Sequence, residues 1–335
     1  MNPRRCTEED YINFLVATPK VATCTEAARV QPEHKPNAPA HDAFTRLLHR
    51  LEPDPETLWI EARPFVPLEG GVLVLDDSVL DKPYCRHVGL VGRFYSGKHR
   101  RVVKGINLVS LLWTDGDALW PIDYRLVDPA EGKGLTKNDH LRAMLAQAKR
   151  RGLRPRYVTF DVWYSGKDNL KAVAGHGWLF LAQVRCNRRV NLDRQGNRPI
   201  SELPISSSGT IVHLEGFGLV KAFRIVTTNG DTEHWISNDL GMDEMTRREV
   251  AELAWGIEDY HRGLKQFCSV ERCQARHSKA QRNHVGMAIR TFLRLEYHRF
   301  STGVSWFQAK FDVVREAVKS YLALPRYGLP NAATA

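Results

Sequence analysis

The 335-residue sequence has no apolar run approaching the roughly 20 residues that a membrane-spanning helix needs. Its first ten residues are polar and acidic, which is not how a secretory leader begins. The six cysteines (Cys6, Cys24, Cys85, Cys186, Cys268 and Cys273) contain no Cys-x-x-Cys pair, so no zinc ribbon or finger is encoded. Scattered, unpaired thiols suit a reducing cytosol. There is no internal repeat. Ser165-Gly166-Lys167 lacks the Gly-x4-Gly-Lys frame of a phosphate loop, which argues against ATP use. These absences predict a soluble, cytoplasmic chain with no membrane partner.

Acidic residues are also in short supply. Lys and Arg number 48 against 38 Asp and Glu, a formal net charge of +10. That balance favours a polyanionic partner, nucleic acid above all, although charge alone also fits a merely basic soluble protein. The apolar share, 43%, is enough for one large core or two modest ones.

Residues 1–65 read as helical, with breaks at Pro32, Pro36 and Pro39. Helices fit Glu8–Thr18, Thr25–Val30 and a segment from His41 that carries Phe44, Leu47, Leu48 and Leu51 among basic residues. The region is either a DNA-binding helix-turn-helix or a helical cap on the main domain, and the residues do not choose.

Residues 66–300 have a different period. Val72-Leu73-Val74-Leu75 is a continuous apolar run leading into Asp76-Asp77, as expected of a buried strand ending there. A loop rich in Gly and basic residues follows. Then come strands at 105–113 and 118–127, a helix at 137–151, and the strand Tyr157–Phe160 running into Asp161. A helix at 167–174 and a strand at 178–184 complete the unit. This is the element order of a ribonuclease-H-like α/β core, a mixed five-stranded sheet flanked by helices. Residues 187–240 look like a β insertion, with strands around 211–226 and 233–237. A helix is expected from a Thr246-x-x-Glu249 capping box, with Val250, Leu253, Ala254, Ile257, His261 and Leu264 on its apolar face. Another is expected near 280–298, and residues 301–335 complete the chain as a C-terminal helix and tail.

Two-metal phosphodiester chemistry needs carboxylates converging on one point, and Mg²⁺ prefers such hard oxygen donors. In the core described, Asp76 and Asp161 lie at the ends of neighbouring strands. Glu258 sits one step off the apolar stripe of its helix, and Lys265 shares its face seven residues on. One group would bind metal and the other a phosphate. Taken alone, that pair reads better as a solvated charged face.

The stretch Trp255-Gly256-Ile257-Glu258-Asp259-Tyr260-His261-Arg262-Gly263-Leu264-Lys265 resembles the signature helix of bacterial cut-and-paste insertion-sequence DDE transposases, which carry Tyr, Arg, Glu and Lys at fixed spacing. Asp76-Asp77-Ser78 is similar to that family's Asp-x-Ser/Thr motif, and Val158–Asp161 to its second motif. The resemblance spans about residues 70–300. It departs at Ala251 and Ala254, where the family has the Tyr and Arg that contact the DNA end.

The resemblance implies Asp76, Asp161 and Glu258 as catalytic metal ligands for two Mg²⁺ ions, with Mn²⁺ as a substitute. It implies cleavage at transposon ends, a DNA hairpin, and transfer of the freed 3′ ends into target DNA. The partners are then double-stranded DNA, terminal inverted repeats and target alike, and a second protomer in the DNA complex, at the bacterial nucleoid. Phosphate contacts are expected from Lys98, Arg100, Arg101, Lys104, Arg262 and Lys265. Auxiliary candidates are Asp77 as an extra ligand or strand-end cap, Ser78, His261, and Trp163 and Tyr164 as packing residues or base-stacking rings. His277 and His284 show no metal-ligand grouping with His261. Two further readings are a DNA-binding repressor or architectural protein of the same fold, and a stand-alone nuclease.

Overall fold

The computed structural model describes residues 6–33, 37–130 and 135–325; Pro36 and the end of the tail lie outside them. Four helices open the chain: α1 (Glu8–Ala17), α2 (Cys24–Arg29), α3 (His41–Arg50) and α4 (Pro55–Ala62). The last was not read from the sequence, although Asp54 caps it and Pro55 opens it, a common helix start. Then follow β1 (Val72–Asp81), β2 (Gly92–Ser96), β3 (Arg101–Thr114), β4 (Leu119–Val127), α5 (Lys137–Arg150), β5 (Tyr157–Phe160), α6 (Lys167–Gly175) and β6 (Phe180–Val184). The inserted segment supplies β7 (Arg189–Asn191), β8 (Arg198–Pro199), β9 (Thr210–Leu214), β10 (Gly218–Val226) and β11 (Thr232–Ser237). Helices α7 (Glu244–Ala254), α8 (Gly256–Phe267), α9 (Ser278–Thr302) and α10 (Trp306–Ala323) close the described chain.

The five core strands run β4-β3-β1-β5-β6. β3 and β4 are antiparallel to their neighbours, while β5 lies parallel to β1 and β6 parallel to β5. This is the ribonuclease-H-like arrangement. Val72–Leu75 and Tyr157–Phe160 are buried throughout, as strands covered on both faces must be.

Three expectations need correction, and the place of the insertion becomes clear. β1 does not end at Asp76 but runs five residues further, because Asp77–Asp81 stay paired with Gly105–Val109 of β3. The basic loop after it is a hairpin: β2 pairs antiparallel with the first residues of β3. The insertion joins the central sheet: β11 pairs with β6 and carries the sheet on through β10, β9, β7 and β8. The signature helix is capped by Asp243, whose side chain accepts from the Thr246 N–H, and it breaks at Trp255 into α7 and α8.

Helices α1, α3 and α4 pack on α9, and their apolar side chains join the same core as the sheet. Polar contacts lock them there. Arg290 and Arg294 of α9 pair with Glu61, and Glu8 and Glu9 of α1 add to the cluster. Lys310 of α10 donates to the carbonyls of Leu15, Val16 and Thr18, filling acceptors left open at the end of α1. No helix among the described residues is long and apolar enough to cross a membrane.

Candidate active site

β1 and β5 are in register at Leu75 and Phe160, so the next residues, Asp76 and Asp161, stand side by side where β5 stops. Successive strand residues point to opposite faces. Asp76 accordingly faces α8, with its Oδ2 3.8 Å from His261 Nδ1. Asp77 faces the other way, towards α5. The two aspartates thus have different partners, although both border the same cleft.

Their surroundings differ sharply. Asp77 accepts from Asn107 Nδ2, Lys137 Nζ and the Tyr164 hydroxyl, each at 2.6 Å. It is a partnered junction between β1, β3, α5 and the turn after β5. Asp76 has no side-chain donor among the described residues. Its carboxyl is pushed well above the usual range, first by burial and then by the charges of Asp161, Asp77 and Glu258.

Asp161 caps the short turn Val162–Tyr164, accepting the Trp163 N–H at 2.9 Å. Burial, and then Asp77, raise its carboxyl to about 6, with Lys137 in partial opposition. Glu258 projects from the first turn of α8. It lines a cleft of about 270 Å³ with Asp76, Asp77, Ser78, Tyr95, Lys98, His261, Arg262 and Lys265. Among the described residues no three His, Cys, Asp or Glu side chains are grouped closely enough to hold an ion as they stand. The donor chemistry is nonetheless that of a hard cation: carboxylates crowded in a partly buried place.

His261 is buried, and burial together with Lys265 lowers it to about 3, so the ring is neutral. His284 is a structural residue, held between the Tyr11 hydroxyl and the Ser269 carbonyl, far from this cleft in its role.

The expected phosphate contacts divide. Lys98, Arg262 and Lys265 line the cleft with the acids. Lys265 is tethered to the Val79 carbonyl at 3.0 Å and lies 3.7 Å from Glu271, and Arg262 pairs with Asp259 at 3.2 Å. Arg100, Arg101 and Lys104 stand exposed on the β2–β3 hairpin instead. Arg100 takes a left-handed φ of +49° in its tip turn. The two aromatics also part company: Trp163 is exposed, but Tyr164 is buried against Asp77 and cannot stack on a base. Ala251 and Ala254 pack against the core on α7, across the break from Glu258.

Lys137 and Tyr95 were not anticipated. Lys137 left one clue: it occupies the first position of α5, where the helix dipole disfavours a cation, so an external carboxylate is needed to hold it.

Residues 4–204 match the family model described as DDE superfamily endonuclease. The chain belongs to that family. The matched span includes Asp76 and Asp161 and stops before Glu258. No curated protein matches the chain. Among solved structures, it is similar to a piggyBac transposase in a synaptic complex with hairpin DNA, at a TM-score of 0.50 and 15% identity. That match covers 100% of this chain and 80% of the other. At such identity the likeness is one of fold. The Mos1 strand transfer complex matches over 53% of this chain and 58% of the other, at 15% identity and a TM-score of 0.19, too low to weigh.

Proposed function

We propose that this DDE superfamily endonuclease is a DNA transposase, working at the bacterial nucleoid, that cuts transposon ends and joins them to target DNA. The observation that carries the reading is the β1–β5 register. It sets Asp76 beside Asp161, with Glu258 close enough across the cleft to act on the Asp76 charge.

In this reading Asp76, Asp161 and Glu258 hold two Mg²⁺ ions, which when bound activate the attacking oxygen and stabilise the leaving one. The chain's own residues do the rest. Lys98, Arg262 and Lys265 hold phosphates in the cleft, while Arg100, Arg101 and Lys104 guide the duplex along the hairpin. The neutral His261 ring fills the space behind Asp76 and brings no competing charge. Asp77, which borders the same cleft, is held by three partners and fixes the strand that presents Asp76. Two ends cut in concert call for two protomers on DNA, and a complex mass corresponding to one protomer would contradict that part.

Labelled DNA carrying the sequences that flank the coding region tests the function. Wild type with Mg²⁺ should cut at the end boundary. Asp161→Asn and Glu258→Gln should bind and not cut, and Ca²⁺ should support binding only. Binding without cutting by wild type would instead favour the DNA-binding protein that has lost catalysis.

A further inference from the structure

The cations that line the cleft are engaged outside the carboxylate cluster. Lys98 pairs with Asp81, Arg262 with Asp259 and Lys265 with Glu271. Lys137 differs. Its ammonium lies 2.6 Å from Asp77 Oδ2, and among the described residues it is the only Lys or Arg in an ion pair with any of Asp76, Asp77, Asp161 and Glu258. The Asp77 side chain is only 12% exposed, so water screens the pair poorly. The Lys137 charge is felt at Asp161 as well. Neither element needs an ammonium there. Lys137 stands at the first position of the 14-residue α5, whose positive end disfavours a cation and adds to its charge. Asp77 already accepts from Asn107 and Tyr164.

We propose that Lys137 is the resident counter-ion of this carboxylate cluster and holds its affinity for divalent metal low until DNA is bound. An ammonium beside the carboxylates offsets part of the negative potential that draws a divalent cation. It also occupies an oxygen of Asp77, which borders the cleft. A phosphate entering the cleft restores negative charge, so metal is taken up together with the strand to be cut. The free protein is thereby kept from loading metal without substrate. The proposal rests on the DNA-cutting reading above.

Mn²⁺ binding to the metal-free protein, followed by loss of the free-ion electron paramagnetic resonance signal, tests it. Wild type should bind weakly, and more tightly once duplex DNA is added. Lys137→Met, without DNA, should bind Mn²⁺ about 5- to 30-fold more tightly than wild type. Lys137→Arg should match wild type. A residue that merely braced the fold would give the opposite sign, since loosened carboxylates bind metal less well. Equal or weaker binding by Lys137→Met overturns the proposal and leaves the function standing, as does wild-type binding that DNA leaves unchanged. Asp161→Asn is the control: if it binds Mn²⁺ as wild type does, the carboxylates are not the metal site and the functional reading itself fails. Thermal melting in EDTA checks that each variant is folded.

Discussion

Replacing Asp161 by Asn should make the metal-free protein more stable at pH 7.5 while ending cleavage. The Asp161 carboxyl is at about 6 in the folded chain, raised from 3.8 by burial and then by Asp77. The folded state therefore holds its proton more tightly than the unfolded state does. Stability falls as pH rises from about 4 to about 6, and the full cost is carried above that window. A shift of about two units corresponds to about 3 kcal/mol. Asn removes the charge and keeps an oxygen to accept the Trp163 N–H, so the turn retains its cap. It also lifts one of the charges that crowd Asp76.

For a chain of 335 residues the unfolding entropy is about 0.7 kcal/mol/K, so the gain in Tm has a ceiling of about 4 °C. Differential scanning calorimetry in EDTA should show the variant melting higher at pH 7.5, with the gap closing as pH is lowered from 6 to 4. Mg²⁺ at ten times its Kd should then raise the wild-type Tm by about 2 °C, from about 1.4 kcal/mol of linkage, and leave the variant unmoved. A variant that melts below wild type in EDTA at pH 7.5 would refute the reasoning. So would equal stabilisation of both by Mg²⁺.

The neighbouring aspartates should respond in opposite ways. Asp77→Ala strands the Lys137 ammonium and the Tyr164 hydroxyl, and should cost about 3–5 kcal/mol in urea unfolding. Asp76→Ala should cost far less than that and still abolish cutting. On the hairpin, Arg100→Ala and Arg101→Ala should each flatten the slope of log K against log salt by about 0.9, measured by fluorescence anisotropy with duplex DNA. An unchanged slope would remove that residue from the phosphate contacts.

What was legible in the sequence was local. The apolar runs before Asp76 and Asp161 marked the buried parallel strands, and the helical spacing around Glu258 marked its helix. What was not legible depended on distant partners. The residues of β2 read as loop because a five-residue edge strand, with Arg93 and Tyr95 on its exposed face and only Phe94 as a large apolar residue on the other, shows little apolar period. The break between α7 and α8 follows from close packing, since a Cβ on Gly256 would come within 2.6 Å of the Leu119 side chain. The continuation of the sheet through β11 rests on pairing between segments some fifty residues apart, which no local pattern encodes.

The Asp76–Asp77 pair shows the difference most clearly. Spacing to Ser78 pointed to Asp76, but nothing in the sequence assigned Asp77, because its partners Asn107, Lys137 and Tyr164 come from three separate elements. Once β1 is seen to pass straight through both residues, alternation gives them different partners, although both border the cleft. A carboxylate with three close donors has its charge satisfied and can only be disturbed by a metal. One buried among other carboxylates, with no side-chain donor, is strained until a cation arrives. The fold thus spends one aspartate on holding the strand still and leaves its neighbour unsatisfied, which is the condition a metal-binding carboxylate needs.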